Sequence, residues 1–600
     1  MKKPASVVPP KNTEPVPTIR IVVKGKRRRS RDRTQDTTTI KGKKLRESTS
    51  ASLVESLSHE SGDIYVTSKG VGIHGVASGA TGGIYIRGLG GFPNSQILMV
   101  EDGYPDFQGI FGHPVPDAYV PFLIDRVIII KGGDSVLYGT NAMGGVIDIR
   151  SRWLKRPGLE IITDTATGSY STMKTGISML WRRGIWDLAS AVNMFETDGH
   201  RQGAGGSRMV AQAAARARAE ENLSVTLRGR AMHIQGADPG PVTHPTPDNW
   251  YDVWRFSLAG NVRYTPGKLA ITFIPYVNFG QHKLYDGFLS HDYVGGTKLE
   301  SLLKIGRSVR ITGGISAEVV DGTVENRITG EYQDLHARFS PAVYAQAAVK
   351  PMKKMEVVAG ARLLHDEGEG LIFLYKGGFN WRLGKYFSAY SNITRNFRQP
   401  TLRELYLPYP VANPDLKPEY SINWSGSLAF THPWLEITAT AYRTSARNLI
   451  KYFGSWPTAE VVNVDNYRVW GVEGKLRVNK AGMFSPYIMG NWQDVGRYTR
   501  QNPDAKVDFG LDFRWRRGGD RLTATLSGQY IHGLFMQNYN RDPIADVFYL
   551  DFTIRYAYRT KKYTLEPYLN VRNILDTRYA FVEDYTMPGF NFLAGVRIRL

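Results

Sequence analysis

The 600-residue chain contains no cysteine, which excludes a disulfide framework, a zinc–thiolate site, an iron–sulfur cluster and a cysteine nucleophile. It also lacks long apolar runs. The strongest, around residues 127–130, falls far short of the roughly 18–20 residues of a membrane-spanning helix. None of the twelve histidines forms a closely spaced ligand pair, so no motif points to a resident metal or other cofactor. No nucleophile–base constellation with a supporting turn is present, so an enzyme is not expected. An exported chain is expected to open with an apolar leader core of about 7–15 residues. Met1-Lys2-Lys3 supplies charge, but Pro4, Pro9, Pro10, Pro15 and Pro17 interrupt every candidate stretch.

What is present favours strands. Aromatics make up 12% of the chain, with 33 Tyr, and there are 62 Gly, a composition suited to many strands and turns. Hydrophobic residues reach 42%, charged residues 22% and mean hydropathy is −0.31, which excludes both a disordered chain and a helical membrane protein. The net charge of +21 is unevenly placed: twelve Lys/Arg stand between Arg20 and Arg46 against only Asp32 and Asp36. Such a run reads as a solvated arm, or as a polybasic membrane or nucleic-acid segment. Nucleic-acid binding is not expected, because it requires an ordered basic surface and this charge concentrates in a linker.

Residues 1–39 read as a Pro-rich and basic arm. Within it Ile19-Arg20-Ile21-Val22-Val23 is β-prone with nothing local to pair with, suited either to strand addition onto a partner's sheet edge or to an ordinary edge strand. Residues 40–152 read as a compact Gly-rich domain with a small mixed sheet and brief helices. Gly70-Val71-Gly72-Ile73-His74-Gly75 matches a phosphate fingerprint, but no helical period follows it, so a dinucleotide site is not expected. From 153 to 600 the dominant signal is period two, as in Val507, Phe509, Leu511, Phe513 and Trp515 alternating with Asp508, Gly510, Asp512 and Arg514. Strands near ten residues, aromatics such as Trp515, Tyr556 and Tyr558 at strand ends, and tight turns alternating with long loops such as 282–297 describe a barrel in a membrane. At roughly 20 residues per strand and connection, the segment holds about 22 strands, the girth of plugged transporters.

Ile86-Arg87-Gly88, a strand ending in Glu101-Asp102-Gly103, an Arg126-Val127 strand ending in Lys131-Gly132-Gly133, and Leu137-Tyr138-Gly139-Thr140-Asn141-Ala142-Met143-Gly144-Gly145 follow in order. Together they resemble the plug domain of TonB-dependent outer-membrane receptors. Arg395-Asn396-Phe397-Arg398-Gln399-Pro400 with Asn413-Pro414-Asp415, and Asn573-Ile574-Leu575-Asp576 before the last strand, look like the barrel signature of the same family. Leu600 departs from the aromatic that usually ends it. The resemblance implies an all-β transmembrane barrel of about 22 antiparallel strands around an N-terminal α+β plug, in the bacterial outer membrane and in contact with its lipid. It implies a monomer that takes up a scarce bulky ligand, a ferric siderophore first and cobalamin second, then another metal complex or a metal ion; a passive porin or adhesin is the alternative of a different class. By the same resemblance Ile19–Val23 is a TonB box engaging the TonB–ExbB–ExbD complex. Arg87 and Arg126 are plug positions pairing with barrel acids, for which Glu419 and Glu473 fit. Ligand contacts are expected at plug turns 90–94 and 104–113, including Phe92, Asn94, Tyr104, Asp106, Phe107 and His113. Further contacts are expected at the loop residues Asp238, His244, Trp250, His282, Tyr285, His291 and Tyr293.

Overall fold

The computed structural model describes residues 35–48, 50–75, 82–91, 94–407, 412–454, 460–479, 482–498, 500–539 and 543–600. The short β-branched runs of the N-terminal unit form β1 (Thr37–Lys41), β2 (Ile64–Val66), β3 (Ile84–Ile86), β4 (Leu89–Gly90), β5 (Ile97–Glu101), β6 (Tyr104–Pro105), β7 (Ile124–Lys131) and β8 (Gly145–Ser151). One sheet has the order β1-β7-β8-β5-β6 and a second is β2-β3-β4. β5 and β8 run parallel, whereas β7 is antiparallel to both β1 and β8. Every residue of β5 is buried, as expected for a strand covered on both faces. Ile97, Met99, Ile129 and Ile147 form its core, with the helix Leu53–Glu60 packing Leu53, Val54 and Leu57 against them. β1 begins at Thr37, three residues ahead of the expected boundary at 40, because Thr37 already pairs with Ile130 of β7. The phosphate-like loop has a different occupant: the amides of His74 and Gly75 both donate to the Asp117 carboxylate, at 2.9 and 3.0 Å.

The rest of the chain closes into a barrel of twenty-two antiparallel strands. The last strand, Asn591–Arg599, pairs with the first, Gly158–Gly168, so no backbone edge remains; closure is what satisfies every N–H and C=O of a sheet in lipid. Strands run from nine to 21 residues, all but the last two longer than the expected ten. The largest departure corrects the expected long loop at 282–297. Leu269–Leu284 and Phe288–Ile305 are strands paired almost throughout, and only 285–287 connects them, with Gly287 at φ +85. Gly295 and Gly296 resemble a loop in sequence, yet lie in the ladder where the Tyr293 and Tyr276 rings occupy the space of a side chain.

Connections at one end of the barrel span two to five residues, whereas those at the other reach twenty residues at 399–418. Short periplasmic turns and longer extracellular loops orient such a barrel. The N-terminal unit fills the lumen and passes through 152–157 into the first strand at the short-turn end, where Arg597 donates to the Arg46 carbonyl at 2.8 Å.

Candidate functional site: the plug apex and its ionic seams

Near β3, five charged side chains share one buried cluster. Arg87 forms a two-point contact with Glu473 of the strand Tyr467–Val478, at 2.6 and 2.9 Å, and also donates to Asp36. Lys131 at the end of β7 meets Glu473 at 2.8 Å, Asp63 at 2.8 Å and Asp36 at 3.3 Å. Burial raises the Asp63 carboxyl, but Lys131, the Ser61 hydroxyl and Arg87 together outweigh it and hold the group at about 2. Burial likewise opposes the Lys131 ammonium, and Asp36, Asp63 and Glu473 together push it well above its ordinary value. Arg87 sits at φ +52, an uncommon conformation for a residue with a side chain, and the Gly88 carbonyl beside it accepts from Tyr467 and, at 3.0 Å, from Asn502. Two cations face three carboxylates, and no member can leave singly without exposing a buried charge.

A second seam joins the β5–β6 hairpin to the opposite wall. Arg230 meets Glu101 at 2.8 Å and also binds Asp106, while Arg228 reaches Asp102 at 2.6 Å. Arg255 bonds Asp292 at 3.1 Å and the Phe107 carbonyl at 2.9 Å, and Asp292 accepts from the Gly109 amide at 2.7 Å. Gly109 is required here, since a Cβ would stand 2.7 Å from the Tyr293 carbonyl oxygen of the wall. Between this hairpin and the wall lies a cavity of about 60 Å³ lined by Tyr138, Tyr276, Lys298, Glu318 and Arg362.

At the long-loop end the plug presents Phe111 and His113. Phe111 stacks on His282 with centroids 5.3 Å apart, and lies 6.3 Å from Phe288. The short helix Leu402–Tyr406 leans onto this patch. Its N-cap is a capping box in which Thr401 accepts from the Glu404 amide at 3.2 Å and Glu404 accepts from the Thr401 amide at 2.7 Å, the pattern that satisfies a helix start. Glu404 is further held by Arg398 at 2.9 Å, and the Arg403 amide donates to the Ile110 carbonyl of the plug at 2.9 Å. That anchoring sets the Arg403 guanidinium over Phe111 at 5.6 Å and Tyr452 at 5.9 Å. Arg403 and Lys451 have no carboxylate partner among the described residues. Burial, with the guanidiniums of Arg500 and Arg398, draws Lys451 down to about 8 against the pull of Glu419. Burial, with Arg403 and Arg255 adding to it, takes His113 down to about 4 although the Pro114 carbonyl opposes, so the ring is neutral at neutral pH.

Of the expected site residues, His113 and His282 meet in this patch. Ile19–Val23 and Phe92 lie outside the described residues. Asn94 is a buried support, accepting from the Ile84 amide at 3.1 Å and donating to the Gly82 carbonyl at 3.3 Å. Tyr104 is buried against Tyr276, Asp106 belongs to the second seam, and Phe107 is buried beneath the apex. Tyr285 is exposed at a turn tip, while Asp238 faces Lys69 at 3.9 Å and His244 bonds Thr243 at 3.2 Å. Trp250, His291 and Tyr293 require correction: all three are strand residues on the outward phase of the wall, opposite in alternation to the inward Tyr251 and Asp292, and face away from the plug. Arg126 is corrected as well. It is 48% exposed and bonded to its neighbour Asp125 at 2.6 Å, because the alternation of β7 turns it out of the sheet core that Val127 enters. Lys131, five residues on, occupies the buried cluster instead. Glu419 does not meet a plug arginine: it binds Arg398 of the barrel and accepts from plug Gln96 at 3.0 Å. Asp36, Asp63 and the Arg228–Arg230–Arg255 set carried no local signal, since their partners lie elsewhere along the chain, 37 residues away for Arg255 and Asp292 and 129 for Arg230 and Glu101, and Asp36 sat in a run read as a linker.

The model of the TonB dependent receptor-like β-barrel matches residues 183–574, and that of the TonB-dependent receptor plug domain matches residues 29–146. The chain belongs to the TonB-dependent receptors. This receptor is 23% identical over 417 residues to the vitamin B12 transporter BtuB of Photobacterium profundum, a match covering 65% of each chain; the alignment thus spans slightly less than two thirds of that relative's length. In fold it resembles the copper transporter OprC at a TM-score of 0.78 with 15% identity, covering 94% of this receptor and 100% of that chain. The siderophore receptor PirA of Acinetobacter baumannii superposes at 0.76 with 12% identity, covering 94% and 98%. The receptor is therefore an integral outer-membrane barrel for TonB-dependent uptake, not an enzyme.

Proposed function

We propose that the cargo is a ferric siderophore bearing anionic aromatic chelating groups, bound between the plug apex and the long loops. The observation that carries this reading is the pairing of stacked rings, Phe111 and His282, with cations that lack a carboxylate partner among the described residues, Arg403 and Lys451. Rings stack on planar chelators, and a guanidinium over an aromatic face attracts the anionic oxygens. His113 stays neutral, so it offers the ligand a hydrogen bond without added charge. Arg500 lines the same cavity as Lys451 on the side of β3, with the neutral Tyr85 and Asn538 beside it. Acids of the long loops, such as Asp286, Glu331 and Asp465, are exposed at the outer edge, which confines the favourable field to the apex. Ile19–Val23 is proposed as the TonB box through which the TonB–ExbB–ExbD complex draws on the plug, with the receptor acting as a monomer.

Cobalamin is the second reading, favoured by the similarity to a vitamin B12 transporter. Growth of a deletion strain on single ferric siderophores and on cobalamin, rescued by the wild-type gene, separates the two. The siderophore reading requires loss of growth on at least one ferric catecholate; loss on cobalamin alone overturns it. Arg403→Gln is expected to weaken catecholate binding about tenfold, measured by fluorescence quenching of the purified receptor. Removing Ile19–Val23 is expected to abolish uptake while leaving that binding intact.

A further inference from the structure

The two ends of the barrel carry opposite charge. Among the described residues of the ten short turns, Glu220 and Glu221 are the acids, against nine Lys and Arg. The eleven long connections reverse this, with sixteen acids against eight cations. Solubility alone explains neither the sign nor the contrast, since mixed charge serves that purpose at both ends.

Lys353 and Lys354 are the whole of one turn, Arg382 and Lys385 bracket the next, and Lys561 and Lys562 fill a third. All six are exposed, and none forms a salt bridge among the described residues. Their neighbours in the wall are outward aromatics: Trp381 beside Arg382, Phe387 two residues from Lys385, and Tyr563 beside Lys562. Outward aromatics mark the plane where hydrocarbon gives way to headgroups. Cations one or two residues beyond that plane stand at headgroup depth, on long stems able to reach along it.

We infer that the short-turn rim is a collar that binds the phosphate headgroups of anionic phospholipids in the leaflet it faces. Each Lys or Arg near such a surface is attracted to it within a Debye length. The occupant is a lipid because the collar continues the lipid-facing wall, and because its cations are dispersed around a ring instead of converging on one pocket. The inference rests on the barrel's orientation and is independent of the cargo.

The test is native mass spectrometry of the full-length receptor in detergent, titrated with phosphatidylglycerol or with phosphatidylcholine of the same acyl chains. The receptor is expected to retain phosphatidylglycerol about tenfold better at low salt, with the preference collapsing as salt rises. A variant carrying Lys353→Gln, Lys354→Gln, Arg382→Gln and Lys385→Gln is expected to lose about threefold of that preference with phosphatidylcholine retention unchanged. Its heat-modifiable gel mobility verifies a folded barrel, and the salt dependence of the wild-type receptor tests the inference without any variant. Arg327→Gln with Arg578→Gln, at the long-loop end, is the control. Equal retention of the two lipids, a preference indifferent to salt, or an equal loss in the control variant overturns the inference; the last outcome moves the anionic-lipid site to the opposite leaflet.

Discussion

Along the strand Trp250–Tyr264, Trp254, Phe256 and Leu258 project outward while Val253, Arg255 and Ser257 project inward, and the two faces obey opposite solvation rules. The outward face exposes large apolar side chains that only lipid can cover, and a charge placed near its middle is costly. The inward face buries arginines and carboxylates that pair either with the plug, as Arg230 does with Glu101 and Glu473 with Arg87, or with one another, as Arg398 does with Glu419. A soluble protein would reverse these assignments, so the alternation that fits either kind of sheet acquires its meaning from what occupies the lumen. The difference teaches that the plug is held by paired charge as well as by apolar contact, since Leu98, Val100 and Ile110 of the plug also pack with Ile274, Val294 and Val320 of the wall, and the buried charge pairs are the part that a single substitution leaves uncompensated.

The sharpest way to break this comparison is to remove one charge from the inner face. Arg87→Ala, leaving Glu473, Asp36 and Asp63 facing Lys131 alone, is expected to cost the plug about 3–5 kcal/mol, read as protease sensitivity of residues within the plug while the barrel stays heat-modifiable. Adding a charge to the outer face is expected to cost somewhat less: Leu258→Arg, at a position 50% exposed near the middle of its strand, should lose about 2–4 kcal/mol, measured by urea titration in lipid vesicles, whereas Leu258→Val should change little. Acid attacks the inner face only. The Asp63 carboxyl is held at about 2, below an ordinary value of about 4. A depressed carboxyl contributes stability above its unfolded value and loses it as pH falls toward its folded value. The plug is therefore expected to loosen between about pH 4 and pH 2, followed by the same proteolysis, with the outer face indifferent. Arg126→Ala is expected to have the smallest effect, under about 1 kcal/mol, because its pairing with Asp125 is exposed; a loss equal to that of Arg87→Ala would restore Arg126 to the buried cluster.

Several features were legible from residues alone because they are local. Period-two alternation, turn residues and strand-end aromatics reveal strands and their two faces wherever they occur. The order of plug motifs was legible for the same reason, each being a strand with its own turn. Glu473 and Arg87 were singled out by resemblance, yet the cluster around them was not, because Asp36 and Lys131 reach it only when β1 pairs with β7. Trp250, His291 and Tyr293 were misjudged because an aromatic or histidine near a strand end has the same local pattern on either face, and a one-residue change of phase sends it into lipid instead of the lumen. The stretch 282–297 was misjudged because two adjacent glycines imitate a loop when neighbouring rings are out of view.

By itself the sequence determined an all-β chain with a polar inner face, a Gly-rich N-terminal unit and ends of unlike length, since each of these is written in residues close together. Tertiary structure alone decided which charges meet, which aromatics face the lumen and where the apex cations lie. Those outcomes depend on strand register and on the seating of one unit inside the other. Electrostatic pairing in a closed lumen is a property of distance in space, and in this receptor partners can stand hundreds of residues apart along the chain, as Arg87 and Glu473 do.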